Sequence, residues 1–239
     1  MDNAGYVSLA RQTGLMRELS SIANNIANVN TTGYRKESVL FGEHVKALGA
    51  DEPSLSMATM DRRFVDFTPG DIKETGRTLD FAIEGDGFFL VQTPQGTGLT
   101  RAGSFSLNDV GELITTSGQR VLDEGGGAIV IPPEARTISV SPDGAISADG
   151  QQVARLGVVT ANEAGLERVG DNAFLATGGY QTATTARVHQ GALEGSNVSA
   201  VNEIAKLIEV QRTYEMGQKL LSDDDQRIVR TVRELGQTG

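Results

Sequence analysis

The chain has no cysteine, no tryptophan and only two histidines in 239 residues. Without cysteine it forms neither disulfides nor thiolate metal sites. His44 and His189 sit in no metal-ligand spacing such as H-E-x-x-H, so each reads as a surface or packing residue. Long apolar runs are missing as well. No segment approaches the roughly 20 apolar residues of a membrane helix, which argues against direct membrane insertion. Met1–Leu15 lacks the basic start and apolar run of a cleaved signal peptide. Apolar residues make up 38% of the chain, a thin supply for a core at this length. A basic stripe is absent too. The net charge is −10, and nothing gathers the cations that nucleic-acid phosphates require.

Catalytic groupings are equally scarce. Glu84 and Asp86 flank Gly85 in the manner of an acid/base pair, but Asp-Gly is a turn dipeptide and turn chemistry accounts for them better. Gly125-Gly126-Gly127 lacks the G-K-[ST] of a phosphate loop. Asp223-Asp224-Asp225 lacks the alternating ligands of a calcium loop and reads as a solvated helical face. The expectation is a chain with no catalytic, cofactor-binding or metal-binding residues. The competing class is a β-rich enzyme, such as a cell-wall glycan hydrolase, dimerised by its helices. It needs a carboxylate pair in a cleft, and the sequence offers no convincing pair.

What is present lies first at the two ends. Alternating steps of four and three from Ala200 reach Ile204, Leu207, Gln211, Tyr214, Gln218, Leu221, Asp225, Ile228, Val232 and Leu235. Eight of these eleven positions are apolar, which is an a/d seam. Asp225 is its anomaly. Gln211 and Gln218 read equally as register-setting contacts or as positions where the helix turns to water. A shorter seam runs through Leu15, Leu19, Ile22, Ile26 and Val29. Seams at both ends have to pair with each other or with other chains, so the pattern points to assembly. Charge agrees. Residues 1–36 sum to +2 and residues 194–239 to −2, leaving −10 on residues 37–193. Balanced ends suit packing, and an acidic middle repels copies of itself and stays solvated.

Residues 3–28 read as a helix capped by Asp2 or Asn3 and ended by Asn30-Thr31-Thr32-Gly33, with Gly33 taking positive φ. Gly5 and Gly14 each cost it about 1 kcal/mol, and Asn24, Asn25 and Asn28 compete for backbone hydrogen bonds. This describes a segment that folds on a partner surface. The asparagines are better placed to bond between helices than merely to fray one. Residues 37–75 are ambiguous: Val39–Leu48 is extended or a short helix, Asp51–Met60 is loop-like, and Phe64–Thr68 is a strand stopped by Pro69-Gly70. From Leu79 to Gly178 the period is that of strands, in short runs with Asp86-Gly87, Asp143-Gly144 and Asp149-Gly150 as hairpin turns. Phe81, Phe88, Phe89, Phe105 and Phe174 are its core candidates. The 29 glycines suit such turn-rich structure, a small antiparallel sandwich or barrel.

The run Ser21-Ile22-Ala23-Asn24-Asn25-Ile26-Ala27-Asn28-Val29-Asn30-Thr31-Thr32-Gly33-Tyr34-Arg35 resembles the N-terminal signature of the flagellar rod and hook axial proteins. Leu193-Glu194-Gly195-Ser196-Asn197-Val198, then Gln211-Arg212 and Tyr214-Glu215, resembles their C-terminal pattern. Between them Thr75-Gly76-Arg77, Leu79-Asp80, Gly85-Asp86-Gly87-Phe88-Phe89 and Thr100-Arg101-Ala102-Gly103-Ser104-Phe105 follow in the family's order. Thr75-Gly76-Arg77 before Leu79-Asp80 is more like the proximal-rod members, while Gln211-Arg212 is shared with the distal-rod members. The resemblance implies a structural subunit of the bacterial flagellar basal-body rod. Its partners would be copies of itself, other rod subunits and the flagellar type III export apparatus, which it would pass without losing its N-terminus.

The expected fold is α+β: a discontinuous, coiled-coil-like helical unit from both ends with an inserted antiparallel β domain. The divisions are an axial helix and signature at 1–36, a connecting segment at 37–75, a β-rich outer domain at 76–185 and a second axial helix at 186–239. The expected assembly residues are Leu15, Leu19, Ile22, Asn24, Asn25, Ile26, Asn28, Ile204, Leu207, Gln211, Tyr214, Gln218, Leu221, Ile228 and Val232.

Overall fold

The computed structural model describes residues 2–46 and 55–237. The side chains of residues 2–7 and 40–63, and several in the last turns of the C-terminal helix, lie outside that description, and His44 is among them. The fold is α+β, with a helix at each end and antiparallel strands between. The chain divides into two compact units. One gathers residues 1–29, 36–66 and 198–239, and the other holds residues 30–35 and 67–197.

The first unit holds helix α1 (Asp2–Ala27), helix α2 (Ala200–Gln237) and the antiparallel pair β1 (Glu37–Lys46) and β2 (Leu55–Val65). This ribbon corrects the loop-like reading of Asp51–Met60 at residues 55–60, which belong to β2, while residues 51–54 lie outside the described residues. Ser56 and Thr59 look like loop residues by composition. Here the cross-strand ladder with β1 satisfies their backbone, with a register shift between Leu40 and Phe41. Gln12 contacts Tyr214, Glu18 contacts Lys206 and Asn25 contacts Glu203, so the two helices run antiparallel.

The second unit holds fifteen short strands. They are β3 (Ile72–Glu74), β4 (Phe81–Glu84), β5 (Phe88–Thr93), β6 (Gly96–Thr100), β7 (Phe105–Leu107), β8 (Leu113–Thr115), β9 (Ile138–Val140) and β10 (Ala145–Ala148). After them come β11 (Gln151–Arg155), β12 (Val158–Ala161), β13 (Leu166–Gly170), β14 (Ala173–Ala176), β15 (Tyr180–Thr182), β16 (Arg187–Gln190) and β17 (Ala192–Glu194). They form no single barrel. A six-stranded sheet takes the order β13-β14-β6-β5-β12-β15, a three-stranded sheet takes β11-β10-β9, and the others pair in twos. β5 is central in the large sheet, and its first four residues, Phe88–Val91, are all buried. Phe81, Phe89 and Phe105 pack with Ile83, Leu113, Ile129 and Ile146 in the main core. Phe88 and Phe174 are also buried, against Phe67.

Asp143-Gly144 and Asp149-Gly150 do close hairpins, between β9 and β10 and between β10 and β11. Asp149 (φ 50°) and Gly150 (φ 83°) both take positive φ, as a two-residue hairpin turn requires. Asp86-Gly87 does not close one. The strands it joins pair elsewhere, β4 with β16 and β5 with β6 and β12. Turn residues set where the chain reverses, not which strands pair afterwards.

Candidate functional site

In the first unit the apolar seam of α1 behaves as its spacing implies. Leu15 and Ile22 are buried against Val210, with Leu19, Ile26, Leu207 and Tyr214 packed around them. On α2 the inward face is Glu203, Leu207, Val210, Tyr214, Gly217 and Leu221, again on 4-3 steps. Leu207, Tyr214 and Leu221 coincide with the expected stripe. Its alternate members are one residue off: Ile204 is 48% exposed, and Gln211 and Gln218 face water. Gln211 Nε2 donates to Glu215 Oε1 at 3.1 Å, and Gln218 Nε2 to Tyr214 Oη at 2.9 Å. The side chains of Asp225, Ile228 and Val232 lie outside the described residues.

The displacement has a chemical cause. The true inner face carries a glutamate and a glycine, which an apolar template rejects. Glu203, 1% exposed, accepts from Asn25 Nδ2 at 3.0 Å and pairs with Lys36 Nζ at 2.6 Å. Gly217 leaves room for Gln12, whose Nε2 donates to the Tyr214 carbonyl at 3.1 Å. Asn25 is fully buried and uses its whole amide. Nδ2 donates to the Glu37 carbonyl at 2.8 Å as well as to Glu203, and Oδ1 accepts from the Glu37 N–H at 2.9 Å. Ser21 Oγ donates to the same carbonyl at 3.1 Å. Of the asparagines expected to bridge the helices, Asn25 does so. Asn24 is exposed, and Asn28 Nδ2 donates back to the Asn24 carbonyl at 2.8 Å.

The second unit has its own buried charge cluster, and composition gave no sign of it. Glu194 is 1% exposed at the end of β17. Its carboxylate pairs with Arg35 Nη1 at 2.5 Å and Arg101 Nε at 2.8 Å, and accepts from the Gly70 N–H at 2.9 Å. Arg101 Nη1 donates to the carbonyls of Gly85 and Gly87 at 3.0 and 2.7 Å. Burial pushes the Arg101 guanidinium below its ordinary pKa, against the pull of Glu194, and Arg35 pushes the same way as burial. Arg168 caps the cluster. Its Nη2 donates to the Arg35 carbonyl at 2.7 Å, and its guanidinium lies 4.8 Å from the ring centres of both Tyr34 and Phe174. Gly33, at φ 64°, donates its N–H to the Glu194 carbonyl, and a Cβ there would stand 2.3 Å from the Arg101 backbone. Asn197 Nδ2 donates to the Thr68 carbonyl at 3.0 Å.

The motifs quoted from the sequence are thereby explained as contacts. Arg35 and Arg101 come from two distant motifs and meet at the carboxylate of Glu194 in a third, whose main-chain carbonyl accepts from Gly33. Nearby in sequence, Arg77 grips Asp80 with Nε at 2.8 Å and Nη2 at 2.6 Å, and Thr75 Oγ1 adds a bond at 2.7 Å. Burial acts to raise the Asp80 pKa, but these bonds and the charge of Arg77 outweigh it and hold the carboxyl below its usual range. The signal available in the sequence was charged residues fixed inside short motifs. Glu84, by contrast, is exposed and paired with the exposed His189 at 2.7 Å. Among the described residues no group of three metal-ligating side chains occurs, and no helix is long and apolar enough to cross a membrane.

Known proteins repeat the three-part pattern. Residues 8–35 match the family described as flagella basal body rod protein, and residues 82–148 match the flagellar hook protein FlgE/F/G D1 domain. Residues 189–234 match the flagellar basal body rod FlgEFG protein C-terminal family. The flagellar basal-body rod protein FlgF of Caulobacter vibrioides is 41% identical, with 99% of each chain covered. The chain belongs to the flagellar basal-body rod protein family. FlgF of Rhizobium meliloti is 37% identical over 99% of both chains. FlgG of Bacillus subtilis is 33% identical, covering 92% of this chain and 94% of its own. The rod protein described here is thus more like these two FlgF proteins than like that FlgG, in identity and in coverage.

Proposed function

We propose that this rod protein is a structural subunit of the proximal rod, and that it polymerises through its terminal helices. The observation that carries the reading is the outward face of α2. Val201, Ile204, Ile208, Met216 and Leu220 are exposed there, although the inner face of the same helix is already occupied by α1. A helix with apolar residues on two faces in one chain has a second face to cover. Copies related by a repeated, non-closing contact would cover it and form a helical tube. The greater likeness to FlgF favours a proximal position. The 33% identity to Bacillus subtilis FlgG keeps a distal-rod position as the second reading.

Ile208→Asp tests the polymerisation. Ile208 is 47% exposed, so the folded monomer should lose little stability, while every copy in the polymer would carry the charge into its contact. The expected result is loss of swimming and of completed rods, with the subunit still exported. Normal rods would remove the outer face from the assembly. Passage through the type III export apparatus without cleavage belongs to the same proposal. N-terminal sequencing of subunits from purified basal bodies checks it, and a missing leader would contradict it.

A further inference from the structure

Methionine is among the residues that folds most often bury. The chain has five, and no cysteine, so thioethers are all the sulfur it carries. The structure describes the side chains of Met16 and Met216, and both stand in the open, at 50% and 65% exposure. Met216 belongs to a ridge. Ile204, Ile208, Arg212, Met216 and Leu220 follow one another in steps of four along α2, and all five are exposed. They lie away from Leu207, Val210 and Tyr214, which pack on α1. The Met216 thioether is therefore open to solvent in the free subunit, on the face proposed above for assembly. Met16 differs. In its own four-step row on α1 it stands between Gln12 and Ser20, both polar, so it completes no apolar ridge.

We propose that Met216 is a reversible oxidation site that decides whether a subunit can join the rod. The inference rests on the rod reading and adds regulation to the face which that reading uses. The oxidant is hydrogen peroxide. The Met216 sulfur attacks one peroxide oxygen and the O–O bond breaks. Sulfur keeps that oxygen as a sulfoxide, the other leaves as water, and two electrons pass from sulfur to peroxide. A thiol-dependent methionine sulfoxide reductase reverses the step, with a dithiol oxidised to a disulfide and the oxygen released as water. Oxidation changes the free subunit little, because the sulfur faces water there. In a polymer contact it sets a polar oxygen where a neighbour's apolar surface would lie, and a polar group buried without a partner is costly. The fault would recur at every oxidised subunit.

The test treats the full-length chain and purified basal bodies in parallel with dilute hydrogen peroxide at neutral pH. Mass spectrometry of the Met16 and Met216 peptides reads the added oxygen. Both methionines should be oxidised in the free chain, and Met216 should be spared in basal bodies. A free chain that keeps Met216 unoxidised, or basal bodies that oxidise it as fast as the free chain does, overturns the proposal. In cells, Met216→Gln sets an uncharged polar side chain of similar length on the ridge and should abolish completed rods and swimming. Met216→Leu and Met16→Gln should keep both. Hydrogen exchange over α1 and α2 checks that Met216→Gln pairs its helices as the parent does. Normal rods with Met216→Gln, or equal loss with Met216→Leu, overturn the proposal. Ile208→Asp separates the two readings. If it stops rods and Met216→Gln does not, the outer face assembles the rod and the oxidation site alone falls. If Ile208→Asp builds normal rods, the outer face is no contact and both fall.

Discussion

Asn25 of α1 and Glu203 of α2 meet through a 3.0 Å hydrogen bond across 178 positions of sequence. Both are buried, and the same Asn25 amide also holds the backbone of Glu37 in both directions. One side chain thus joins the two helices to the start of the β1–β2 ribbon. Its loss strands several buried polar groups rather than one.

Asn25→Ala should therefore destabilise the helix pair by about 2–4 kcal/mol, since each stranded group costs about 1–3. Hydrogen exchange reads this locally. Protection should fall in α1, α2 and β1 and hold in the six-stranded sheet. Asn25→Asp should be worse, because it sets two carboxylates facing each other. Equal protection in Asn25→Ala and the parent would remove Asn25 from this role.

Glu194→Gln leaves Arg35 and Arg101 buried with no carboxylate between them. A loss of about 3–5 kcal/mol is expected, the range for breaking a buried pair from one side. Chemical denaturation followed by signals of the β strands gives the number, and an unchanged midpoint would show that the cluster does not hold the unit.

Gly33→Ala combines a left-handed backbone with a Cβ placed 2.3 Å from the Arg101 main chain. The atoms it meets are main-chain atoms of Arg101 and Ala102, not a flexible side-chain tip, so relief requires backbone movement. The φ penalty alone is about 1 kcal/mol, and the clash adds to it. The readout is limited proteolysis at residues 30–35, where the variant should be cut and the parent spared. Equal resistance would show that the loop accommodates a side chain.

Acid should expose the Arg77–Asp80 pair. The Asp80 carboxyl is held below its usual range, so its stabilisation is complete above the unfolded value of about 3.9 and is lost as pH falls through the folded value. Asp80→Asn removes that dependence. The gap in melting temperature between parent and variant should be widest near neutrality and should close as pH falls below about 4. A gap that stays constant with pH would assign the cost to geometry rather than charge.

The sequence made the helices legible because their apolar spacing is regular, and it made the β region legible through Asp-Gly turns and phenylalanines. The inner face of α2 was half legible. Leu207, Tyr214 and Leu221 stand out, but Val210 does not, because the residues seven positions either side of it on the same stripe are Glu203 and Gly217, and an apolar template scores both against burial. Exposed Ile204 draws the pattern outward instead. Arg35, Arg101 and Glu194 were visible as motif letters and not as a cluster. Burial of a charge is decided by partners 93 and 159 positions away, which no local pattern records. Residues 55–60 read as a loop for a related reason, since a strand of a two-stranded ribbon is stabilised by its partner strand rather than by its own composition.

The first unit draws on three separated stretches, with both ends of the chain among them, whereas almost all of the second is one continuous stretch. This difference sets a timetable. A chain delivered from one end can finish its phenylalanine core early, from contacts that are close in sequence. The Asn25–Glu203 bond cannot close until the opposite end has arrived, after a loop closure of 178 positions. Helix α2 therefore lacks its α1 lining until delivery is complete, and a subunit caught halfway cannot yet offer the paired helices on which joining its neighbours is proposed to depend.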